Sequence, residues 1–299
     1  MAAFVLISYF VSAGHADLLV NGIVLGSIIS LGAISLSMVY GVLNFANLAH
    51  GDLMCFGAYA GILANRWLGL GIIESAAFAI LLSMGLGMLL EEVLWKPLRR
   101  KGAGLVTFLI VSMGLAIVLR NSIIAIFGGS YHYFALPPQG RLGFFGITIG
   151  EYDLLVVLAS LASMAVFCYV LQRTTLGKSM RALSDSPDLA RISGINVDRV
   201  IVWMWVIAMA LVGLAGVLYG VVTMVRPMMG FHLLLSIFAA TILGGIGNVY
   251  GAMLGGMTLG LSQEISVAYI PAEYKMAVAF VILILVLILR PKGILRGLR

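Results

Sequence analysis

Long apolar runs, separated by short polar stretches, dominate this chain. Runs of about 20 apolar residues match the hydrocarbon thickness of a bilayer, so the pattern predicts membrane-spanning helices. The predicted spans are 18–41, 46–65, 72–95, 104–127, 152–172, 200–225 and 272–290. The apolar stretch 231–263 is interrupted by Gly244-Gly245-Ile246-Gly247-Asn248 and is predicted to form two shorter helices, 231–244 and 248–263. We therefore expect an all-α, polytopic membrane protein with eight or nine embedded segments, broken helices among them, and one domain over residues 1–299.

The composition supports this fold class, because 62% hydrophobic and 10% charged residues leave too few polar groups to cover a soluble protein. Most of the basic residues fall in three clusters, and the positive-inside rule places such loops in the cytoplasm. The clusters are Lys96, Arg99, Arg100 and Lys101; Arg173, Lys178, Arg181, Arg191 and Arg199; and Arg290, Lys292, Arg296 and Arg299. The N-terminus is then outside, the C-terminus is cytoplasmic and the loop 128–151 is external.

The net charge of +6 is explained by cytoplasmic loops that meet anionic lipid. No basic stretch forms a separate soluble domain, so nucleic acid is not an expected partner. The apolar stretch Ala2–Val11 lacks the basic start of a signal peptide and is interpreted as a short external lead-in. Cys55 and Cys168 lie far apart in apolar segments and are interpreted as packing residues.

Several glycines inside the spans are four residues apart, a spacing that lets helices approach closely in lipid. Tight packing within one chain is the simpler interpretation, and dimerisation is the alternative. The stretch from Gly51 to Gly61 also weakly resembles the stretch from Gly245 to Gly256, which suggests an internal repeat of the kind found in transporters.

A first group of candidate residues lies where the first two spans meet: Asn44, Asn47, His50 and Asp52. Polar side chains at membrane depth are costly unless they are paired or face water. They either cap helix ends or line a solute path along a discontinuous helix. We expect Asp52 to accept a hydrogen bond from His50 or from backbone N–H groups at a helix start. Tyr59, in the span that follows, is a further candidate for the path.

A second candidate group lies at the glycine-rich interruption and consists of Thr241, Gly245 and Asn248. Irregular backbone at membrane depth survives only where protein or water covers it. The segment is interpreted as a gate or a lining of the path, with a simple turn between helices as the alternative.

The third candidate is residues 173–199, which we name the coupling loop. Its length and mixed charges suggest a helical segment that docks on a soluble partner, although a solvated hairpin is the alternative. Arg181 and Asp185 are four residues apart on one helix face. Ala182 and Ala190 are small enough to enter a partner's groove, and Gly194 can end a helix. Gly177 and Lys178 complete this set, and Ser186-Pro187 is typical of a helix start.

Other chemistries lack their motifs. Gly177-Lys178-Ser179 resembles the end of a phosphate-binding loop, but Gln172 stands where that loop needs glycine. The sequence contains neither a zinc-protease HExxH motif nor a GxSxG nucleophile motif. Asp52 and Glu264 stand out as acids within spans and do not form a dense proton relay. We expect no enzyme activity, no metal and no cofactor in this chain.

Four sets of stretches stand out together: Tyr40-Gly41 with Asn44-Phe45 and Ala49-His50-Gly51-Asp52; Gly177-Lys178 with Arg181-Ala182, Ala190 and Gly194-Ile195; Leu243-Gly244-Gly245-Ile246-Gly247; and Glu273-Tyr274-Lys275 through Pro291-Lys292-Gly293-Ile294-Leu295. In these stretches the chain resembles the LivH-type permease subunits of branched-chain amino acid ABC importers.

This resemblance implies a multi-pass protein of the bacterial inner membrane. It implies pairing with a second, related permease, two cytoplasmic ATPase subunits that bind the ATP, and a periplasmic solute-binding protein. It also implies that Gly177–Ile195 seats on an ATPase. Urea and short-amide importers share the family, so the solute stays open. An ATP-independent secondary transporter or channel is the alternative of a different class, and it would not need such a docking segment.

Overall fold

The computed structural model describes residues 16–138, 140–144, 147–290 and 293, and helices make up most of this part of the chain. In chain order they are α1 (Ala16–Leu43), α2 (His50–Ile62), α3 (Ile72–Leu90), α4 (Lys96–Arg100), α5 (Leu105–Phe127), α6 (Glu151–Arg173), α7 (Thr175–Asp185), α8 (Pro187–Ile192), α9 (Val197–Val222), α10 (Met229–Gly244), α11 (Val249–Ser266) and α12 (Lys275–Leu289). Short π-helical turns, Leu63–Trp67 and Glu91–Trp95, continue α2 and α3, and a 3-10 turn, Ala272–Tyr274, precedes α12. Each predicted span contains a helix, so the prediction of a helical polytopic protein is confirmed.

The loop 128–151 also contains a small antiparallel hairpin, β1 (Arg141–Phe144) and β2 (Ile147–Gly150). Helices still make up nearly all of the regular structure in the described residues, so the all-α fold class is confirmed and the hairpin is a local addition to it. Ile147, Thr148 and Ile149 are β-branched and favour extended backbone, which a search for long apolar helices does not detect.

Among the described residues, six helical stretches are long and apolar enough to cross a membrane: 16–43, 72–100, 105–127, 151–173, 197–222 and 272–289. α1 is the central one, because 89% of its most apolar stretch is buried within the protein. α3, α5, α6 and α12 instead leave most of their apolar surface exposed. A helix that is apolar on all sides and lies at the periphery is suited to lipid contact.

The glycine spacing serves packing inside this chain, as predicted. α1 packs closely along α11, where Gly22 and Gly26 face Gly256 and Gly260. Ser30 on α1 donates a hydrogen bond to the carbonyl of Met253 at 2.8 Å. Small residues thus allow the central helix to touch its neighbour backbone to backbone.

Both cysteines are free, in agreement with their interpretation as packing residues. The predicted lead-in Ala2–Val11 lies outside the described residues, and so do Lys292, Arg296 and Arg299 of the third basic cluster.

Candidate functional site

α2 begins inside the protein. The imidazole Nε2 of His50, its first residue, lies 2.8 Å from Ser35 Oγ and 3.1 Å from the carbonyl oxygen of Gly32. Gly32 precedes the end of α1 at Leu43 by eleven residues, which is about 16 Å of helical rise. The intervening residues 44–49, which we name the first break, therefore carry the chain back from the end of α1 to its middle.

α10 begins inside the protein as well, after residues 223–228, which we name the second break. Its second residue, Gly230, packs against Gly51, the second residue of α2. A Cβ added to either glycine would overlap the carbonyl oxygen of the other. The two short helices thus start in direct backbone contact.

The two breaks are related by a sequence repeat. Tyr40-Gly41-Val42 recurs 179 residues later as Tyr219-Gly220-Val221, and the same shift relates Gly51 to Gly230. The same shift of 179 residues relates the end of α1 to the end of α9, and the start of α2 to the start of α10.

α1 ends and α9 begins at the same end of the protein, since Leu43 and Val197 line one cavity, so the two copies run in opposite directions. The predicted resemblance between Gly51–Gly61 and Gly245–Gly256 is therefore wrong as a description of the repeat. α2 corresponds to α10, whereas Gly245–Gly256 lies mainly in α11.

One side chain joins the two helix starts. Arg120 on α5 binds Asp52 through two hydrogen bonds, Nε to Oδ1 at 3.0 Å and Nη2 to Oδ2 at 2.9 Å. Its guanidinium also lies 5.4 Å from the ring centroid of Phe231. Asp52 and Phe231 are equivalent positions of the repeat, so Arg120 contacts the third residue of both short helices.

The expectation that Asp52 accepts a hydrogen bond from His50 is wrong, because its partner is Arg120 and His50 binds α1. Sequence reasoning missed Arg120. The signal was present, since Arg120 is the only charged residue in the predicted span 104–127, and a charge within a span needs a partner.

Asn47 lies in the first break and is fully buried. Its Oδ1 accepts a hydrogen bond from the backbone N–H of Ala49 at 3.0 Å, and its backbone carbonyl accepts one from the N–H of His50. The amide Nδ2 finds no acceptor among the residues that the structure describes. The structure thus brings Asn47, His50 and Asp52 together at the start of α2.

The other predicted path residues lie apart from this junction or inside the packing. Tyr59 is buried on α2, with its ring centroid 4.8 Å from that of Phe127. Thr241 is buried on α10 and donates to the carbonyl of Ile237 at 2.8 Å. Asn44 is exposed where α1 ends and has a φ of 55°, in the left-handed region.

The interruption between α10 and α11 forms a turn that joins the two predicted shorter helices. Gly245 has a φ of 105°, and the side chain of Asn248 caps α11 by accepting from the N–H of Gly251 at 3.1 Å. Gly247 lies close to Gly41, near the end of α1. Asn44, Gly245 and Asn248 therefore share one end of the protein.

The first two basic clusters meet at that same end. An open cavity of about 260 Å³ is lined by residues of the first two clusters and by the end of α1: Asn44, Lys96, Arg99, Arg100 and Arg191. Gly293, which adjoins the third cluster, packs against Gly245. Arg99 also forms an ion pair with Glu91, whose side chain is buried.

The coupling loop folds into α7 and α8, as its sequence predicts. Ser186 caps α8 by accepting from the N–H of Leu189 at 3.4 Å, and Pro187 is the first helical residue. Gly194 follows the end of α8 with a φ of 82°, a conformation that glycine adopts without strain. The predictions of a helix start at Ser186-Pro187 and of an ending at Gly194 are confirmed.

Not every residue of this loop faces outward. Ala190 is only 3% exposed, so the expectation that it enters a partner's groove is wrong. The large apolar side chains that α8 exposes are instead Leu189 and Ile192, which are 65% and 83% exposed. Sequence reasoning missed both, because the orientation of so short a helix depends on its packing.

On α7, Gly177 is buried against the end of α6, Lys178 is exposed and Ala182 is half-buried. Arg181 donates from Nη1 to the carbonyl of Leu171 at 2.9 Å. Within the described part of the chain, Arg181 and Asp185 do not form an ion pair, although the helix carries both.

Comparison with known proteins also indicates a membrane transport protein. Residues 18–287 match the family model described as branched-chain amino acid transport system, permease component. The high-affinity branched-chain amino acid transport system permease protein LivH of Escherichia coli K12 is 34% identical, over 92% of this chain and 93% of its own length. The permease protein BraD of Pseudomonas aeruginosa is 33% identical, over 93% and 94%.

LivM of Escherichia coli K12, a permease protein of the system with the same name, is 26% identical over 88% of this chain and 66% of its own length. No solved structure matches the chain. With its apolar helices and these relatives, the chain is a multi-pass protein of the inner membrane. The match over nearly its whole length shows that it belongs to the family of branched-chain amino acid transport permeases.

Proposed function

We propose that this chain is a permease subunit of an ABC importer and forms a translocation path for branched-chain or related amino acids. The observation that carries the proposal is the junction where α2 and α10 begin in contact. In transporters built from inverted repeats, discontinuous helices meet near the middle of the membrane, and the solute binds there.

In this proposal Asn47, His50 and Asp52 lie along the path at the junction. Asn44, Gly245 and Asn248 surround its mouth at the basic end. Tyr59 and Thr241 act by shaping the helices that bound it. The unpaired amide of Asn47 supports this arrangement, since a buried donor without an acceptor is costly unless a solute or water meets it.

The orientation follows from the meeting of the first two basic clusters at one end, which the positive-inside rule assigns to the cytoplasm. The N-terminus and the loop 128–151 are then outside, and the C-terminus is cytoplasmic. α2 and α10 each cover part of the membrane, and the breaks before them complete the crossing.

The proposed partners are a second, related permease, two cytoplasmic ATPase subunits and a periplasmic solute-binding protein. Similarity to both LivH and LivM of one organism supports pairing of two related permeases. The coupling loop seats on an ATPase, with Leu189 and Ile192 as exposed apolar side chains for the contact. The chain itself carries out no covalent chemistry, and ATP binds to its partners.

Reconstitution of the assembled complex in proteoliposomes tests this function. We expect uptake of labelled leucine that requires ATP and the binding protein and is lost when the ATPase subunits are inactivated by mutation. Uptake without ATP would indicate a secondary transporter or channel instead. Uptake of urea, with none of leucine, would assign the complex to the urea and amide importers.

A further inference from the structure

Arg226 lies in the second break, at the position that the repeat makes equivalent to Asn47. Its side chain is partly exposed and forms neither a hydrogen bond nor an ion pair with any described residue. Arg226 and Asn47 are thus equivalent positions with donors that lack acceptors within the described part of this chain.

The backbone of Arg226 lies well inside the protein. Cys55 on α2 donates from Sγ to the carbonyl oxygens of Arg226 and Pro227, at 3.6 Å each. Cys55 precedes Trp67, the end of the helical stretch that α2 begins, by twelve residues, or about 18 Å of rise. An arginine at such depth faces protein or a polar cavity, because lipid solvates its charge poorly.

The surroundings of Arg226 carry one uncompensated positive charge. Arg120 and Arg226 are both close enough for their charges to act on the imidazole of His232. The nearby acids already have partners, since Asp52 accepts two hydrogen bonds from Arg120 and Glu264 forms an ion pair with Lys275. α10 starts three residues after Arg226 without a capping side chain, so its free N–H groups add positive potential.

Three apolar residues close to Arg226 in sequence are open, whereas its immediate neighbours Val225 and Pro227 are buried. Met224, Met228 and Phe231 are 42–43% exposed. A cation beside an open apolar surface suits a solute that joins an anionic head to a hydrocarbon group. Bidentate pairing with a carboxylate is the contact to which a guanidinium is best matched.

We propose that Arg226 binds the carboxylate of the solute as it passes the junction of α2 and α10. The transported class then consists of aliphatic carboxylates, amino acids among them, and excludes neutral amides such as urea. The proposal rests on the proposed function, and it names the chemistry by which that path recognises its solute.

The test uses the assembled complex in proteoliposomes, with labelled leucine, isovalerate and urea as probes. We expect uptake of leucine or isovalerate and none of urea. Arg226→Gln should lower that uptake about tenfold or more, since a charge-assisted contact is lost. Arg226→Lys should retain part of it. Arg66→Gln, which removes an exposed arginine in the π-helical turn after α2, is the matched control and should transport normally.

ATP hydrolysis and the size of the complex separate the outcomes. If Arg226 acts on the solute, the Arg226→Gln complex keeps its full size and its hydrolysis still responds to the binding protein. Normal uptake by Arg226→Gln overturns the proposal, as does loss of the second permease on size-exclusion chromatography, which would make Arg226 a subunit contact. ATP-driven uptake of urea alone overturns the carboxylate assignment while the importer function stands. If none of the three probes is taken up in an ATP-dependent manner, the carboxylate assignment and the importer function are both refuted.

Discussion

The carbonyl oxygen of Gly51 occupies the space that a side chain at Gly230 would need, and the carbonyl oxygen of Gly230 does the same at Gly51. The two residues are 179 positions apart and equivalent in the repeat. Because the two glycines are equivalent and touch each other, a local two-fold axis relates α2 to α10 at this contact. Glycine is required at both positions for the close approach, whatever the backbone conformation.

Alanine at Gly51 or Gly230 should separate the two helix starts and prevent stable folding. The reason is steric, since each added Cβ meets backbone atoms that cannot rotate away. Gly114→Ala on α5, where a Cβ would meet nothing, is the matched control. Fluorescence-detected size-exclusion chromatography of tagged protein measures the folded yield. A normal monodisperse peak for both junction variants would show that α2 and α10 do not need this contact.

Removal of Arg120 should destabilise the protein, because Asp52 would be left as a buried charge without its partner. We expect Arg120→Gln to lower the free energy of unfolding by about 3–5 kcal/mol, as for other broken buried pairs. The exchange Asp52→Arg with Arg120→Asp should recover part of the loss. Denaturant titration of the purified protein in detergent measures both effects.

The control for this pair is Lys96→Gln, which removes the ion pair of Lys96 with the exposed Glu92. That change should cost less than about 1 kcal/mol, since solvent screens an exposed pair. Equal effects of Arg120→Gln and Lys96→Gln would contradict the importance assigned to burial of the Asp52 carboxylate.

The spans and the coupling loop were predictable because they depend on local patterns. Apolar length predicts a helix wherever it sits, and Ser186-Pro187 and Gly194 have backbone preferences that hold in any fold. The contact between Gly51 and Gly230 was not predictable in the same way, since it depends on where two distant breaks meet. The repeated Tyr-Gly-Val was visible in the sequence, but its meaning needed the positions of the helices.

Side-chain direction set the other limit on prediction. Ala190 and Leu189 are neighbours on a six-residue helix, and only packing against the rest of the chain decides which one is buried. The partner of Asp52 was likewise hidden, because Arg120 is 68 residues away and on another helix.

The proposed orientation predicts opposite labelling of two exposed serines. Ser130 lies in the loop 128–151, and Ser184 lies on α7 at the basic end. Single cysteines at these positions, in a background with Cys55 and Cys168 replaced, should react with an impermeant thiol reagent from opposite sides. In sealed cells we expect Ser130→Cys to be labelled and Ser184→Cys to be protected until the membrane is opened. Equal labelling of the two in sealed cells is incompatible with this orientation.

The outward face of α8 should determine whether the ATPase subunits stay bound. Leu189 and Ile192 expose apolar surface beside a soluble compartment, which is costly in the free permease and favourable once a partner covers it. The double change Leu189→Asp with Ile192→Asp should therefore release the ATPase subunits, while the permease itself stays folded because neither side chain is part of its core.

Co-purification with the ATPases and hydrolysis stimulated by the binding protein measure the effect. Lys101→Asp, which adds an acid to an exposed position outside the coupling loop, is the control and should leave both readouts unchanged. If the double variant retains its ATPases and couples hydrolysis to uptake as well as the control does, α8 is not the docking element and the contact has to lie elsewhere at the basic end.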